Sequence, residues 1–331
     1  MKSDFYLNKK HRIGSSEIFS LVQHYLTDTE LLNFGVQPSS VRGEQPFRTA
    51  FYLYHKVRET LPKEIELPRS MGDFGLAAEF VAEKWLKENG YNPTRPEQKI
   101  SGNCVASADF MCSATKTINQ DGVILAPGDK FICENKTFVP QMLKKVKDEG
   151  IPFKYICQLQ YQLWLYGIRT GAFSSLELVD DTADERAYIA GVFAGSKPKG
   201  LKQFYARFTK SIVFMEYKQE YGAMFELVLE RFFNDVNNGH EPELCMADDP
   251  ALLFALLRIN ANVKEAPQAT ISTALIESYQ KAKNAYADAK FAYDTHKKKI
   301  VDILYQNKTL SCTDGKSTVL VQGNNSLKVV G

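Results

Sequence analysis

The sequence predicts a mixed α/β fold, a central sheet flanked by helices, with a long helix and a terminal hairpin appended at the C-terminal end. Three observations predict it. Short apolar runs with aromatic and β-branched residues, such as Phe131-Ile132-Cys133, read as buried strands. Between them lie stretches of helical period, including 74–86, 151–167 and 224–236. Beyond Pro242 the pattern becomes a seven-residue repeat. Two domains are expected, 1–245 and 246–331.

Composition narrows the function classes. The formal net charge is +2, so a polyanion would have to be met by a local basic patch rather than a global field. Six cysteines, at 104, 112, 133, 157, 245 and 312, include no C-x-x-C pair, which argues against a zinc knuckle or a four-cysteine cluster. Cys104, Cys112, Cys133 and Cys157 stand in apolar runs and read as buried, reduced thiols of a cytoplasmic protein. The Met-Lys-Ser-Asp-Phe-Tyr start has no apolar core, and no run approaches 18 apolar residues, so neither a signal peptide nor a membrane span is expected.

In chain order, Ser15 or Ser16 is placed to cap a helix whose apolar face is Ile18, Phe19, Leu21, Val22 and Tyr25. Lys9, Lys10, His11 and Arg12 precede it. Free amides, a serine hydroxyl and cations together make a phosphate site; the competing reading is a plain capped helix behind a solvated basic segment. Thr49 to Thr60 is helical, and Pro62 and Pro68 punctuate the next stretch of chain. A helix from about Phe74 to Gly90 shows Leu76, Phe80, Val81 and Leu86 as its apolar positions. Glu79 falls near that buried face and needs a partner, for which a cation is natural. Glu83, one turn on, is expected to face water.

The run Cys104 to Cys112 reads as a strand with one acid, Asp109. A hairpin-like insert comes next, with turns at Asp121-Gly122 and Pro127-Gly128-Asp129. Asp121 competes with Asp109 as an acidic site residue, although Asp-Gly is first a turn signal. In the next strand Glu134 and Lys136 point to one face, two residues apart. On the helix ending at Gly167, Gln158 and Gln162 share a face and must hydrogen-bond something. That something is either nearby backbone or, for Gln158, a phosphate or a metal-bound water. Strands are expected at 172–179 and 188–194, a strand pair at 204–217, and an amphipathic helix closed by Asn238-Gly239. The heptad seam has Tyr279, Tyr286, Tyr293 and Ile300 at one position and Leu275, Ala282, Ala289 and Ile303 at its partner, His296 excepted. The tail 310–330 reads as a hairpin with turns at Asp314-Gly315 and Gly323-Asn324-Asn325.

An acid on one strand and Glu-x-Lys on the next is the layout of a metal-dependent phosphodiesterase, in which carboxylates hold a divalent cation and a lysine sits beside the attacking water. The order Gly75-x-x-x-Glu79, Ser107-Ala108-Asp109, Glu134-x-Lys136 and Tyr155-x-x-Gln158-x-Gln160-Tyr161-x-x-Trp164 resembles the phage lambda exonuclease family of PD-(D/E)XK nucleases. The Ser16-Glu17 pair resembles the family's phosphate-contacting serine. The resemblance continues more weakly through 210–242 and does not reach the tail from 246.

There are departures. Ala108 stands where the family has proline, and twenty-five residues separate Asp109 from Glu134. Lys9 stands nearer the family's arginine position, whereas Arg12 lies only four residues before Ser16. Which of Lys9, Lys10 and Arg12 grips phosphate is left open.

The resemblance implies a restriction-endonuclease-like core. Glu79, Asp109, Glu134 and the Asn135 carbonyl would hold one or two Mg²⁺ ions, with Mn²⁺ as a substitute. Lys136, Glu134, Asp109 and Gln158 would carry catalysis, and Lys9, Arg12, Ser15 and Ser16 would bind a 5′-phosphate. It also implies a 5′-to-3′ exonuclease on linear duplex ends, a ring-shaped homo-oligomer and a single-strand annealing partner.

Overall fold

The computed structural model describes residues 11–61, 69–138, 146, 149–178, 205–206, 208–243, 281, 284–285, 311–313, 318–321 and 327–330; for 69–77, 138, 178, 311–313, 318–321 and 327–330 it describes the backbone alone. Lys9, Lys10, the expected strand at 188–194 and most of the heptad segment lie outside the described residues. The chain divides into two compact units, Met1–Asn262 and Val263–Gly331. In the second, β11 (Ser311–Thr313), β12 (Thr318–Val321) and β13 (Leu327–Val330) form an antiparallel three-stranded sheet. The tail is therefore an antiparallel meander of three strands rather than the single hairpin expected, and the expected turns at Asp314-Gly315 and Gly323-Asn324-Asn325 lie outside the described residues.

The first unit is built on a five-stranded mixed sheet. Its strands are β2 (Tyr91–Thr94), β5 (Phe110–Ala114), β8 (Lys130–Phe138), β9 (Thr170–Leu178) and β10 (Phe208–Glu216), in the order β10-β9-β8-β5-β2. Strand β8 is central, parallel to β9 and antiparallel to β5. Its residues alternate as a doubly covered strand should. Phe131 and Cys133 face helix α5 (Arg69–Glu88), packing with Ala78, Val81, Ala82 and Leu86. Ile132 faces helix α6 (Phe153–Tyr166), packing with Tyr155, Leu159 and Leu163. The opposite side of α6, through Cys157, Tyr161 and Leu165, joins a helical core with α1 (Ile18–Tyr25), α4 (Ala50–Val57) and α7 (Gln219–Asn238). Helix α6 is therefore apolar nearly all round because it is covered on both sides. It ends at Gly167, whose left-handed backbone (φ 67°) turns the chain into β9.

A smaller sheet joins β1 (Ile13–Gly14), β4 (Cys104–Ala106) and β3 (Lys99–Ser101) in the order β1-β4-β3. The hairpin of β6 (Ile118–Gln120) and β7 (Val123–Leu125) fills the interval before β8. Its loop is the two residues Asp121 and Gly122, both at positive φ (54° and 78°), as the Asp-Gly signal predicts. Short helices α2 (Asp28–Asn33) and α3 (Pro38–Arg42) complete the unit.

Four sequence expectations are corrected. The run Cys104 to Cys112 is two strands in two sheets, broken at Ser107-Ala108-Asp109; the break frees Asp109 from ladder duty. The expected strand pair within 204–217 is the single nine-residue β10, paired along its whole length with β9. Neither Ser15 nor Ser16 caps α1: Glu17 occupies the cap position without a side-chain cap, and its carboxylate instead accepts the Gly14 N–H at 2.8 Å. Phe80 is 62% exposed, because the buried set of α5 is Ala78, Val81, Ala82 and Leu86, and Phe80 falls on the other side of that i, i+3, i+4, i+8 pattern.

Candidate active site

Glu134 is 4% exposed, and its carboxylate is hydrogen-bonded toward α6 and its own strand. Strand alternation turns Glu134 and Lys136 to the α6 side of the sheet. There Lys136 Nζ donates to Glu134 Oε1 and to Gln158 Oε1, both at 2.9 Å. Gln158 Nε2 donates to Glu134 Oε1, closing a three-membered ring of contacts. Gln162, fully buried one turn later, donates Nε2 to Glu134 Oε2 at 2.8 Å and to the Ser107 carbonyl at 3.0 Å. Both glutamines thus serve the acid rather than nearby helix backbone. The Gln162 Oε1 atom has no hydrogen-bond partner among the described residues. Lys136 Nζ also lies 4.9 Å from the centre of the Tyr155 ring, a cation–π contact on the same helix.

Asp109 enters from the neighbouring strand. Phe110 pairs with Cys133, so Asp109 stands beside Glu134 at the sheet break. Its Oδ2 accepts the Asn135 N–H at 2.8 Å. Glu79 comes from α5 on the other side of the sheet; its Oε2 meets Arg95 Nη1 at 2.5 Å. Arg95 lies just past β2, and its guanidinium is 5.4 Å from the centre of the Phe110 ring.

The electrostatics tie these groups together. Burial, and then the negative charges of Glu134 and Glu79, push Asp109 well above the ordinary carboxylate range. Burial also raises Glu79 against the opposing pull of Arg95, and Glu134 adds to the rise. For Lys136 burial acts downward, but Glu134 and Asp109 outweigh it and the amine is held above its usual value, as ammonium. Three acids therefore feel one another where the β5–β8 ladder stops, and one interior cation, Lys136, interacts with two of them.

Solved structures of exonucleases resemble the chain. One is the alkaline exonuclease LHK-Exo from Laribacter hongkongensis, at 14% identity and TM-score 0.44, covering 79% of this chain and 99% of that one. Another is a phage related exonuclease from Haemophilus somnus 129PT, at 10% identity and TM-score 0.41, covering 69% and 94%. No family model matches the chain, and no curated protein does. At TM-scores below 0.5 the likeness does not decide the chemistry, which is read from the side chains.

Oxygen donors from Glu79, Asp109 and Glu134 suit a hard divalent cation, and a cation relieves the mutual repulsion that raises Asp109 and Glu79. Among the described residues, however, no group of three His, Cys, Asp or Glu is gathered as a ligand set. The placement explains this: Glu79 is turned to Arg95, Asp109 to the Asn135 amide, and Glu134 to Lys136 and two glutamines. The donors suit an ion in chemistry and in electrostatic reach, with Glu79 paired to Arg95 in this arrangement. The Asn135 side chain is directed elsewhere, accepting from Ser174 Oγ at 3.1 Å, so only its carbonyl is a candidate ligand.

The structure sets Asp121 apart from this group. Its carboxylate accepts the Phe214 N–H at 3.0 Å and a Gln120 amide at 3.1 Å, as a turn residue tied to β10. Of the expected phosphate-binding residues, Arg12, Ser15 and Ser16 lie along β1 and the turn into α1, and Lys9 lies outside the described residues. Arg12 Nε donates to the Gly102 carbonyl at 3.1 Å. Ser15 is buried, and Lys56 binds Glu17 with Nζ at 2.6 Å. Strand β1 pairs with β4, the strand that leads into Asp109. Two residues join the site beyond those the sequence assigns to it. Gln162 was visible as the i+4 partner of Gln158, whereas Arg95, a lone arginine between Thr94 and Pro96, gave no pattern to find it by.

Proposed function

We propose that the protein is a metal-dependent deoxyribonuclease, a 5′-to-3′ exonuclease that acts on linear duplex ends and leaves 3′ single strands for an annealing partner. One observation carries the nuclease reading: Asp109, Glu134, Lys136 and Gln158 meet on the central strand β8 where its pairing with β5 stops, with Glu79 within electrostatic reach. Support for direction and for a ring-shaped oligomer is the sequence resemblance alone.

Glu79, Asp109, Glu134 and the Asn135 carbonyl would hold Mg²⁺ or Mn²⁺. When bound, the ion supplies Lewis-acid polarisation of the phosphodiester and a more acidic water. The chain's own groups do the rest. Lys136, held as ammonium, donates toward negative charge that builds on the scissile phosphate and orients the attacking water. Gln158 fixes the amine with its carbonyl and Glu134 with its amide, so the two cannot rotate independently. Gln162 locks the remaining Glu134 oxygen to the Ser107 backbone at the sheet break. A catalytically silent end-binding scaffold has no use for this arrangement.

The test is digestion of end-labelled linear duplex and of covalently closed circles, with Mg²⁺ or chelator, from 5′-phosphate or 5′-hydroxyl ends. Loss with chelator, no action on circles and preference for phosphate are expected. Lys136→Met should lower the rate about 100- to 1000-fold while the protein stays folded. Cleavage of circles would instead establish an endonuclease, and equal use of both ends would remove the role given to Ser16 and its basic neighbours.

A further inference from the structure

Arg95 is the cation paired with Glu79, and the proposed reaction gives it no task. Its pairing is lopsided. The Glu79 side chain is 16% exposed, whereas that of Arg95 is 50% exposed. Its other terminal nitrogen, Nη2, reaches Glu83 only at 3.9 Å, and Glu83 is already bound by Lys87 at 2.7 Å. The half-exposed side chain thus carries its five-donor fork at the protein surface beside the site. The anchor is also fixed: Arg95 leaves edge strand β2 next to β5, over the ring of Phe110, the residue after Asp109.

We infer that Arg95 is a movable guanidinium that neutralises Glu79 in the metal-free protein and, once a divalent cation takes Glu79, binds the backbone phosphate of the nucleic-acid strand. This rests on the proposed nuclease reading. The argument is one of charge and place. A dication and a guanidinium on the same carboxylate repel each other, so binding of one releases the other. The second carboxylate beside Arg95 is Glu83, which has its own lysine. The released fork stays beside Phe110, next to the acid that would hold the ion, where a phosphodiester must lie for cleavage. A planar guanidinium matches two phosphate oxygens at once, which an ammonium does not. The pair also accounts for the ungathered ligand set: Glu79 is held off by a resident counter-ion.

The test uses the full chain as wild type, Arg95→Gln and Arg95→Lys. Mn²⁺ affinity is read by calorimetry and by the paramagnetic resonance of free Mn²⁺. Binding of a fluorescent duplex with a single-stranded overhang is read by anisotropy, with Ca²⁺ or with chelator. Arg95→Gln should bind Mn²⁺ about two- to fivefold tighter than wild type, the scale of one released ion pair. Ca²⁺ should tighten DNA binding by the wild type, and that gain should vanish in Arg95→Gln and shrink in Arg95→Lys, which keeps the charge without the fork. Equal Mn²⁺ affinity in wild type and Arg95→Gln, or an undiminished Ca²⁺ gain in the variants, overturns the inference and leaves the nuclease reading standing. Absence of Mn²⁺ binding by all three proteins, folded by circular dichroism, overturns both. If Arg95→Gln does not fold, the DNA arm with Arg95→Lys decides, since an undiminished gain there excludes a role for the fork.

Discussion

Glu134 shows how a strongly buried charge is kept. Its two oxygens take three donors, from Lys136, Gln158 and Gln162, so burial is compensated on every side. Removing one donor exposes the cost. Gln162→Leu leaves Glu134 Oε2 and the Ser107 carbonyl each short of a donor, and should destabilise the protein by about 1–3 kcal/mol in urea unfolding. Asp109 is the opposite case, a carboxyl hydrogen-bonded to one backbone amide and facing two negative neighbours. Its titration in the folded protein lies above that in the unfolded chain, near pH 3.9. The folded state therefore holds the extra proton, and stability is lost as pH rises from that value through the folded one. Asp109→Asn keeps an oxygen for the Asn135 N–H and removes the charge. In the metal-free protein it should raise the melting temperature at pH 8 and leave it nearly unchanged at pH 3, and it should abolish the proposed nuclease activity. A melting temperature at pH 8 equal to wild type would mean that the mutual repulsion of these acids is negligible.

At the level of elements, the break at Ser107-Ala108-Asp109 matters more than any single strand. There the chain leaves the small sheet and joins β5, and the switch sets Asp109 beside Glu134 with its carboxylate on the Asn135 N–H. Apolar residues run on both sides of the switch, so periodicity in the sequence could not reveal it, whereas the strict alternation of β8 revealed the facing of Glu134 and Lys136. The β6–β7 hairpin was legible because Asp-Gly states its own turn type. It is held on β10 by Gln120, which donates to the Ile212 carbonyl at 2.8 Å, and by Asp121. That location separates the two candidate aspartates. Asp121→Val places a β-branched residue at φ 54° and removes the acceptor for Phe214, which should cost about 1–3 kcal/mol of stability. Mn²⁺ affinity should stay at the wild-type value. A fall in affinity comparable to that of Asp109→Asn would return Asp121 to the ligand set.

Across the molecule, what could be read in advance was what local rules encode: alternation in β8, the doubly covered α6 with Gln158 and Gln162 on one face, the caps at Gly167 and Gly239. Hidden were the features that depend on which distant residues meet. Arg95 reaches Glu79 across 16 positions, and Glu17 displaces Ser15 and Ser16 from the helix start because Lys56, 39 positions on, holds it there. The same long-range gathering of charge makes global stability a probe of the site. Burial and repulsion raise Asp109 and Glu79, so the metal-free fold carries an electrostatic cost that grows with pH above the ordinary carboxylate range. A divalent cation that binds only the folded state adds RT ln(1 + [L]/Kd), about 2.7 kcal/mol at a hundredfold excess over Kd. Protons and the ion compete for the same oxygens, so the ion's contribution should be large at pH 8 and small at pH 5. Calorimetric scans of the whole chain in Ca²⁺, against chelator, should accordingly show a rise in melting temperature at pH 8 that shrinks on acidification and is absent in Asp109→Asn. An equal rise at both pH values, or one that survives in that variant, would place the ion at some other site.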